Sequence, residues 1–181
     1  MTRQMSDYPQ LEVPMILPAL TEAIRDAGGF SLQGIFREAV GAGELREFIG
    51  RLEVDDYNLS DASTAHVPAC LLKKWLRELP APLVGDNLYD AAIAVTSTAD
   101  VADVFARLGP LEQRTLRMLV HFLAELSGAA DTNRMTVANL AVVFAPCLLR
   151  TPSPDLLITN AQAERTFVAK LIEAAHALPT P

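Results

Sequence analysis

The stretch at residues 72–83, Leu-Lys-Lys-Trp-Leu-Arg-Glu-Leu-Pro-Ala-Pro-Leu, combines an apolar helical stripe with an abrupt proline stop. The stripe recurs at helical spacing and consists of Leu71, Leu72, Trp75, Leu76 and Leu79. Pro68 suits a first helical turn, whereas Pro80 and Pro82 cannot continue a helix because proline lacks an N–H. The stretch therefore predicts a helix that begins near Val67-Pro68 and ends before Pro80, with Trp75 in the core.

Similar apolar stripes occur on both sides of this helix. They predict helices at Val13 to Ile24, from near Gly43 to Leu52, at Leu88 to Thr96, at Val101 to Leu108 and at Pro110 to Leu126. Another helix is predicted from a cap at Thr136 through Val143, with Pro146 ending it. The last helix is predicted to follow the capping-box pair Thr159 and Gln162. Alternation typical of strands is nearly absent. The pattern predicts an all-α fold, a single helical domain of about eight to nine helices.

Composition narrows the class of function. The chain has 181 residues, of which 50% are hydrophobic, enough for the core of one domain. Its net charge of −7 argues against a nucleic-acid-binding protein. No apolar run approaches the roughly 20 residues of a membrane span, and residues 1–7 do not resemble a secretory signal, so we expect a soluble intracellular protein. Two distant cysteines and three scattered histidines predict neither a disulfide framework nor a metal site.

Four polar residues lie within strongly apolar segments. Arg37 follows the apolar pair Ile35-Phe36 in Gly34-Ile35-Phe36-Arg37, and a glycine-containing stretch comes after it. Lys73 and Arg77 are four residues apart, so a helix would project both from one face. Asn139 begins the apolar run Asn-Leu-Ala-Val-Val-Phe-Ala-Pro at residues 139–146. These residues are the candidate site.

Each candidate also has a structural interpretation. Arg37 could pair with a surface carboxylate such as Glu38, since surface ion pairs are common and weak. Lys73, Lys74 and Arg77 form a local basic patch that could be a solvated helix edge. Asn139 could tie a loop through side-chain hydrogen bonds, and Asn133 is expected to serve a turn in that way.

Taken together, the three segments resemble the Rho GTPase-activating protein (RhoGAP) domain family. The resemblance covers about residues 13–178, with residues 1–12 as an N-terminal extension and 179–181 as a tail. It implies that Arg37 is a catalytic arginine finger that enters the nucleotide site of a partner GTPase. It further implies that Lys73 and Arg77 contact the switch regions of that GTPase and support the finger loop, and that Asn139 is another partner contact.

The implied partner is a Rho-family small GTPase (Rho, Rac or Cdc42-like) in its GTP-bound state. GTP and Mg²⁺ would be held by the partner, so the chain would need no cofactor and would act in trans rather than as an enzyme. The absence of a P-loop motif agrees with this. We expect a cytoplasmic monomer that other modules of a longer protein could recruit to a membrane.

Three positions depart from the family pattern. Glu38 is an acidic residue directly after the finger, Gly41 is displaced by one position with Val40 in the expected place, and Cys147 stands where asparagine is frequent. We interpret Cys147 as a packing residue. The first two departures leave a second hypothesis open, a non-catalytic module that binds a GTPase or another helical partner. A self-contained hydrolase has little support, because neither GxSxG nor HExxH occurs.

Overall fold

The computed structural model describes residues 12–178, which form nine α-helices and no β-strand. The helices are α1 Ile16–Asp26, α2 Ala42–Glu53, α3 His66–Arg77, α4 Tyr89–Ile93, α5 Thr98–Ala106, α6 Pro110–Ser127, α7 Ala130–Asn133, α8 Val137–Leu148 and α9 Leu156–Glu173. Short 3₁₀ turns lie at Gly29–Ser31, Asp86–Leu88 and Ala175–Ala177. The predicted all-α fold is confirmed. The expected extension and tail fall almost wholly outside the described residues.

Helix α8 is longer than the sequence predicts, so the expectation that Pro146 ends this helix is wrong. Pro146 lies inside α8, which runs to Leu148. A proline in a helix removes one N–H bond and frees the carbonyl four residues earlier, here that of Val142. Both Pro146 and Val142 lie on the exposed side of the helix, where water can satisfy that carbonyl. The helix continues because the buried residues beyond the proline remain packed in the core.

Helix α9 begins three residues before the predicted cap, so the expectation for Thr159 is also wrong. Thr159 is an exposed residue within the helix. The helix is started by backbone bonds instead, from the Leu156 N–H to the Ser153 carbonyl at 3.0 Å and from the Leu157 N–H to the Pro154 carbonyl at 3.3 Å. Pro154 favours this start because its φ is already close to the helical value. The predicted helix at 88–96 is likewise shorter, and α7 was not predicted.

The core is built mainly from α6, α8 and α9, and α3 connects it to α1. Helices α8 and α9 lie against each other, and both contact α6. Helix α3 contacts α1 on one side and α8 on the other. The predicted candidates on α3 and α8 therefore come from neighbouring helices. The buried residues of these elements are almost all aliphatic or aromatic.

A buried polar cluster joins α4, α9 and the segment between α8 and α9. The Glu164 carboxylate is buried and accepts hydrogen bonds from the Tyr89 hydroxyl at 2.6 Å and the Thr151 hydroxyl at 2.8 Å. The Asn160 amide donates to the Tyr89 oxygen at 3.1 Å. Burial, and then the bond to Glu164, raise the pKa of Tyr89. A buried carboxylate without a cation is tolerable here because neutral donors satisfy it.

Replacing Leu171 by alanine should lower the free energy of unfolding by about 2–5 kcal/mol, because this side chain is fully buried in α9 and its removal leaves a cavity. Leu157→Ala on the same helix is the matched control. Leu157 is 55% exposed, so we expect a change within about 0.5 kcal/mol. Urea unfolding of both variants measures the difference, and equal losses would contradict the assignment of the α9 core face.

The His121 side chain should make stability depend on pH. Burial lowers the pKa of His121, and the charges of His176 and Arg117 lower it further. The unfolded chain then binds a proton at about pH 6.5, before the folded chain does, so acidification favours unfolding. We expect the free energy of unfolding to fall as the pH drops from about 7 to about 5, and His121→Gln to reduce that fall. An unchanged pH dependence in the variant would contradict this assignment.

Candidate functional site

The loop that carries Arg37 is a tight turn with two residues in the left-handed region. Gly34 has φ 74° and Phe36 has φ 72°. The Gly34 carbonyl accepts hydrogen bonds from the N–H groups of Arg37 at 2.8 Å and Glu38 at 3.3 Å. Glycine adopts this backbone freely, but phenylalanine adopts it only at a cost in conformational energy. Other contacts must therefore hold Phe36 in place.

The aromatic ring of Phe36 supplies one such contact. The ring is 1% exposed and meets Phe144 of α8 edge-to-face, with 5.0 Å between ring centroids. It meets Phe122 of α6 in the same way at 6.4 Å. Aromatic pairs in this geometry are stabilising beyond the area that they bury. The neighbouring Ile35 is also fully buried, so the apolar pair before Arg37 anchors the loop.

Helix α3 supplies the second contact. The Lys73 ammonium donates a hydrogen bond to the backbone carbonyl of Phe36. One turn earlier on the same helix, the Cys70 thiol donates to the carbonyl of Glu38 across 3.6 Å. The two carbonyls lie on either side of Arg37 in the chain. Helix α3 therefore holds the backbone on both sides of this arginine.

Asn133, at the end of α7, supplies the third contact. Its side chain is buried and donates to the carbonyls of Phe30 at 3.1 Å and Leu126 at 2.9 Å. Its side-chain oxygen accepts from the Met135 N–H at 2.8 Å, and its backbone carbonyl accepts from the Gly34 N–H at 2.9 Å. The prediction that Asn133 serves a turn is confirmed. The structure adds that this turn also holds the start of the Arg37 loop.

The Arg37 side chain is exposed and forms no hydrogen bond or ion pair with any residue from 12 to 178. The interpretation in which Arg37 pairs with Glu38 is therefore wrong. The Glu38 side chain folds back over Gly34, and its Oε1 atom lies 3.4 Å from the position that a Cβ on Gly34 would occupy. The loop thus presents an unpaired guanidinium to solvent while its own backbone is fixed.

Arg77 lies on the same face of α3 as Lys73, as the four-residue spacing predicts. It is exposed, and it approaches the sulfur of Cys147 on α8. Burial raises the pKa of the Cys147 thiol, and Arg77 and Lys73 oppose that rise by smaller amounts. Cys147 is 2% exposed. It is a buried neutral thiol beside two cations, in agreement with its interpretation as a packing residue.

Lys74 does not belong to this group. Successive residues in a helix point about 100° apart, and Lys74 instead pairs with Glu78 one turn further along α3. Both residues line a small apolar groove with Trp75, which is partly exposed and packs against the core. The predicted basic patch of three residues is therefore wrong in part: Lys73 and Arg77 share a face, and Lys74 lies on another.

Asn139 lies in the first turn of α8 and is partly buried. Its side-chain amide donates to the Arg134 carbonyl at 2.8 Å, and its backbone N–H donates to the Thr136 hydroxyl at 3.2 Å. The predicted Thr136 cap is thereby confirmed. The side-chain oxygen of Asn139 accepts no hydrogen bond from the described part of the chain. Asn139 thus ties the turn before α8 through its side-chain amide, as its structural interpretation predicts.

Sequence reasoning missed two residues that shape this region. Cys70 holds the Glu38 carbonyl, as described above. Arg150, after α8, donates to the carbonyls of Leu79 at 3.1 Å and Pro80 at 3.3 Å and so fixes the turn that follows α3. Neither interaction has a local sequence signal, because the accepting carbonyls lie 32 and 70 or more residues away along the chain.

Within residues 12–178, no group of three or more histidine, cysteine, aspartate or glutamate side chains is placed to hold a metal ion. Over the same range, no helix has the length and apolar character needed to cross a membrane.

The amino-acid sequence matches a known protein family. A family model described as the RhoGAP domain matches residues 14–153. The chain is 37% identical over 177 residues to GTPase activating protein homolog 2 of Dictyostelium discoideum, with 96% of this chain and 20% of that protein covered. It is 34% identical over 153 residues to human Rho GTPase-activating protein 17, with 80% of this chain and 17% of that protein covered. The chain spans about a fifth or less of the length of these relatives.

Solved structures share the fold. The BH domain from Graf, the GTPase regulator associated with focal adhesion kinase, superposes with a TM-score of 0.81 at 23% identity, covering 92% of this chain and 94% of that one. Human Rho GTPase activating protein 15 superposes with a TM-score of 0.84 at 22% identity, covering 95% and 86%. The resemblance stated from the three sequence segments is confirmed: the chain belongs to the RhoGAP domain family.

Proposed function

We propose that this chain is a GTPase-activating domain that stimulates GTP hydrolysis by a Rho-family small GTPase, with Arg37 as its arginine finger. The observation that carries the proposal is the state of Arg37. Its guanidinium is exposed and has no partner within residues 12–178, while the loop backbone around it is bonded on both sides. Family membership and the relatives' names support the partner class.

The proposed role of Arg37 is to stabilise negative charge electrostatically. In phosphoryl transfer, negative charge is spread over the oxygens of the transferred group, and a positioned arginine stabilises it. A guanidinium suits this task because it is always charged and offers a planar set of donors to phosphate oxygens. GTP and Mg²⁺ belong to the partner, and this chain contributes a cation that enters the partner's site.

The fixed loop makes this contribution efficient. A mobile loop would have to be ordered at the moment of docking, which costs free energy that a fixed loop has already lost on folding. Lys73 holds the Phe36 carbonyl, and the Phe36 ring is buried between α6 and α8. The proposed role of Lys73 is therefore to position Arg37 as well as to contribute positive charge.

Arg77 and Asn139 are proposed as docking residues. Arg77 is exposed on the face of α3 that also carries Lys73, and Asn139 has a side-chain oxygen that no described residue uses. Both could bond to the switch regions of the GTPase. The chain has a net charge of −7, so the positive charges of Lys73 and Arg77 form a basic area on an otherwise acidic protein. Complementary charge accelerates and orients association with a partner.

The alternative is a module that binds a GTPase without accelerating hydrolysis, and it was motivated by Glu38 and the displaced glycine. Two observations weaken it. Glu38 does not capture Arg37, because its side chain lies over Gly34 instead. Gly41 has φ −59°, a value open to any residue, and Val40 is not among the residues with positive φ, so the backbone requires glycine at neither position.

Arg37→Ala should lower the stimulated rate of GTP hydrolysis by a factor of about 10³ to 10⁵. Arg37→Lys should also lose most of it, because an ammonium lacks the planar donor set. Single-turnover hydrolysis measured on a panel of Rho-, Rac- and Cdc42-like GTPases checks both variants and identifies the preferred partner.

The same panel separates the two functional hypotheses. No stimulation by the native chain, together with binding to a GTP-loaded GTPase, would favour the non-catalytic module. Equal stimulation by the native chain and Arg37→Ala would overturn the finger assignment but leave the activity standing.

Lys73→Ala should reduce the stimulation by about tenfold to a hundredfold, because it frees the Phe36 carbonyl and lets Arg37 leave its position. Lys74→Ala is the matched control: it removes the same charge one residue later, but within residues 12–178 this lysine pairs with Glu78 rather than with the Arg37 loop. We expect a change of about twofold or less for Lys74→Ala. Equal losses in the two variants would mean that total charge, rather than loop position, is what matters.

A further inference from the structure

Glu38 carries an unpaired carboxylate and directly follows Arg37, the proposed arginine finger. The side chain is exposed, and it forms no hydrogen bond or ion pair with residues 12–178. We propose that Glu38 is an electrostatic attenuator: it weakens association of the domain with a nucleotide-loaded GTPase and so lowers the catalytic efficiency that Arg37 supports. This inference rests on the proposed function and assigns one residue that tunes it.

The backbone of Glu38 is held in place at both of its polar groups. Its N–H donates to the Gly34 carbonyl at 3.3 Å, and its carbonyl accepts from the Cys70 thiol of α3 at 3.6 Å. Its Cγ and Oε1 atoms lie 3.6 Å and 3.4 Å from the position of a Cβ on Gly34. The side chain therefore lies against Gly34, at the start of the same loop. The carboxylate therefore moves with the loop and approaches whatever Arg37 approaches.

No cation in the described structure neutralises this carboxylate. Arg37 is the adjacent residue but is unpaired. Lys73 bonds to the Phe36 carbonyl, and Arg77 approaches the Cys147 sulfur. Adjacent Cα atoms are about 3.8 Å apart, so the loop carries this carboxylate on the residue next to the one that carries the guanidinium. An uncompensated carboxylate brought near phosphates is repelled by them.

The size and form of the effect follow from this geometry. A unit charge about 10 Å from a phosphate, in surroundings intermediate between surface and bulk water, changes an equilibrium or rate on the order of threefold to tenfold. The phosphates are charged before and during the reaction, so the repulsion acts on the bound state and the transition state alike. It should therefore appear mainly in KM and less in kcat. It should also shrink at high salt, because exposed charges are screened.

The test compares Glu38→Gln, which removes the charge, with Glu38→Asp, which keeps it. Asp103→Asn is the control for net charge, because Asp103 is an exposed residue of α5, a helix that packs against α4 and α9. At low salt we expect Glu38→Gln to raise kcat/KM by about threefold to tenfold through a lower KM. Glu38→Asp and Asp103→Asn should stay within about twofold of the native chain. A Glu38→Gln variant that is unchanged or slower overturns the inference.

A binding measurement separates this inference from the proposed function. The affinity for a GTPase loaded with a non-hydrolysable GTP analogue is measured in the Arg37→Ala background, with and without Glu38→Gln. Where the native chain binds the GTPase but does not stimulate hydrolysis, tighter binding on removal of the carboxylate still supports the attenuator. Equal binding overturns it. If native protein stimulates hydrolysis through Arg37 but Glu38→Gln gains nothing, the attenuator alone fails. If no GTPase is bound or stimulated, both proposals fail.

Discussion

The rest of the site depends on holding Phe36 in a left-handed backbone conformation. A phenylalanine in this region is under strain, and two interactions offset it: burial of the ring against Phe122 and Phe144, and the bond from Lys73 to the Phe36 carbonyl. The same conformation turns the next residue outward. One residue is thus buried so that its neighbour, Arg37, can be exposed at a fixed place.

Several separate elements serve this constraint. Helices α6 and α8 supply the aromatic walls, α3 supplies Lys73 and Cys70, and α7 ends in Asn133, whose carbonyl holds the Gly34 N–H. The Arg37 loop, helix α3 and the α6–α8 segment are distant from one another in sequence and meet only in the folded domain. The core packing that joins α3, α6 and α8 is therefore also what sets the position of Arg37, so loss of core packing is expected to affect function as well as stability.

Sequence reasoning predicted the helical class and most helix positions, because apolar spacing is a local signal. It also singled out the residues of the candidate site, and their roles in activity stay predictions. It failed where a tertiary contact decided the outcome. Pro146 lies inside α8 because the residues beyond it stay buried, and Thr159 lies inside α9 because an earlier turn begins that helix. The carbonyl acceptors of Lys73, Cys70 and Arg150 could not be predicted, because backbone groups carry no residue identity.

Lys73 is proposed to act by positioning Arg37. A double-mutant cycle tests it most directly: single-turnover GTP hydrolysis by a responsive Rho-family GTPase is measured with the native chain, each alanine variant and the double variant. If Lys73 holds the finger loop, Lys73→Ala should slow hydrolysis when Arg37 is present and have little further effect once Arg37 is alanine. Equal fractional losses in the two backgrounds would show that Lys73 acts independently, and would contradict the account.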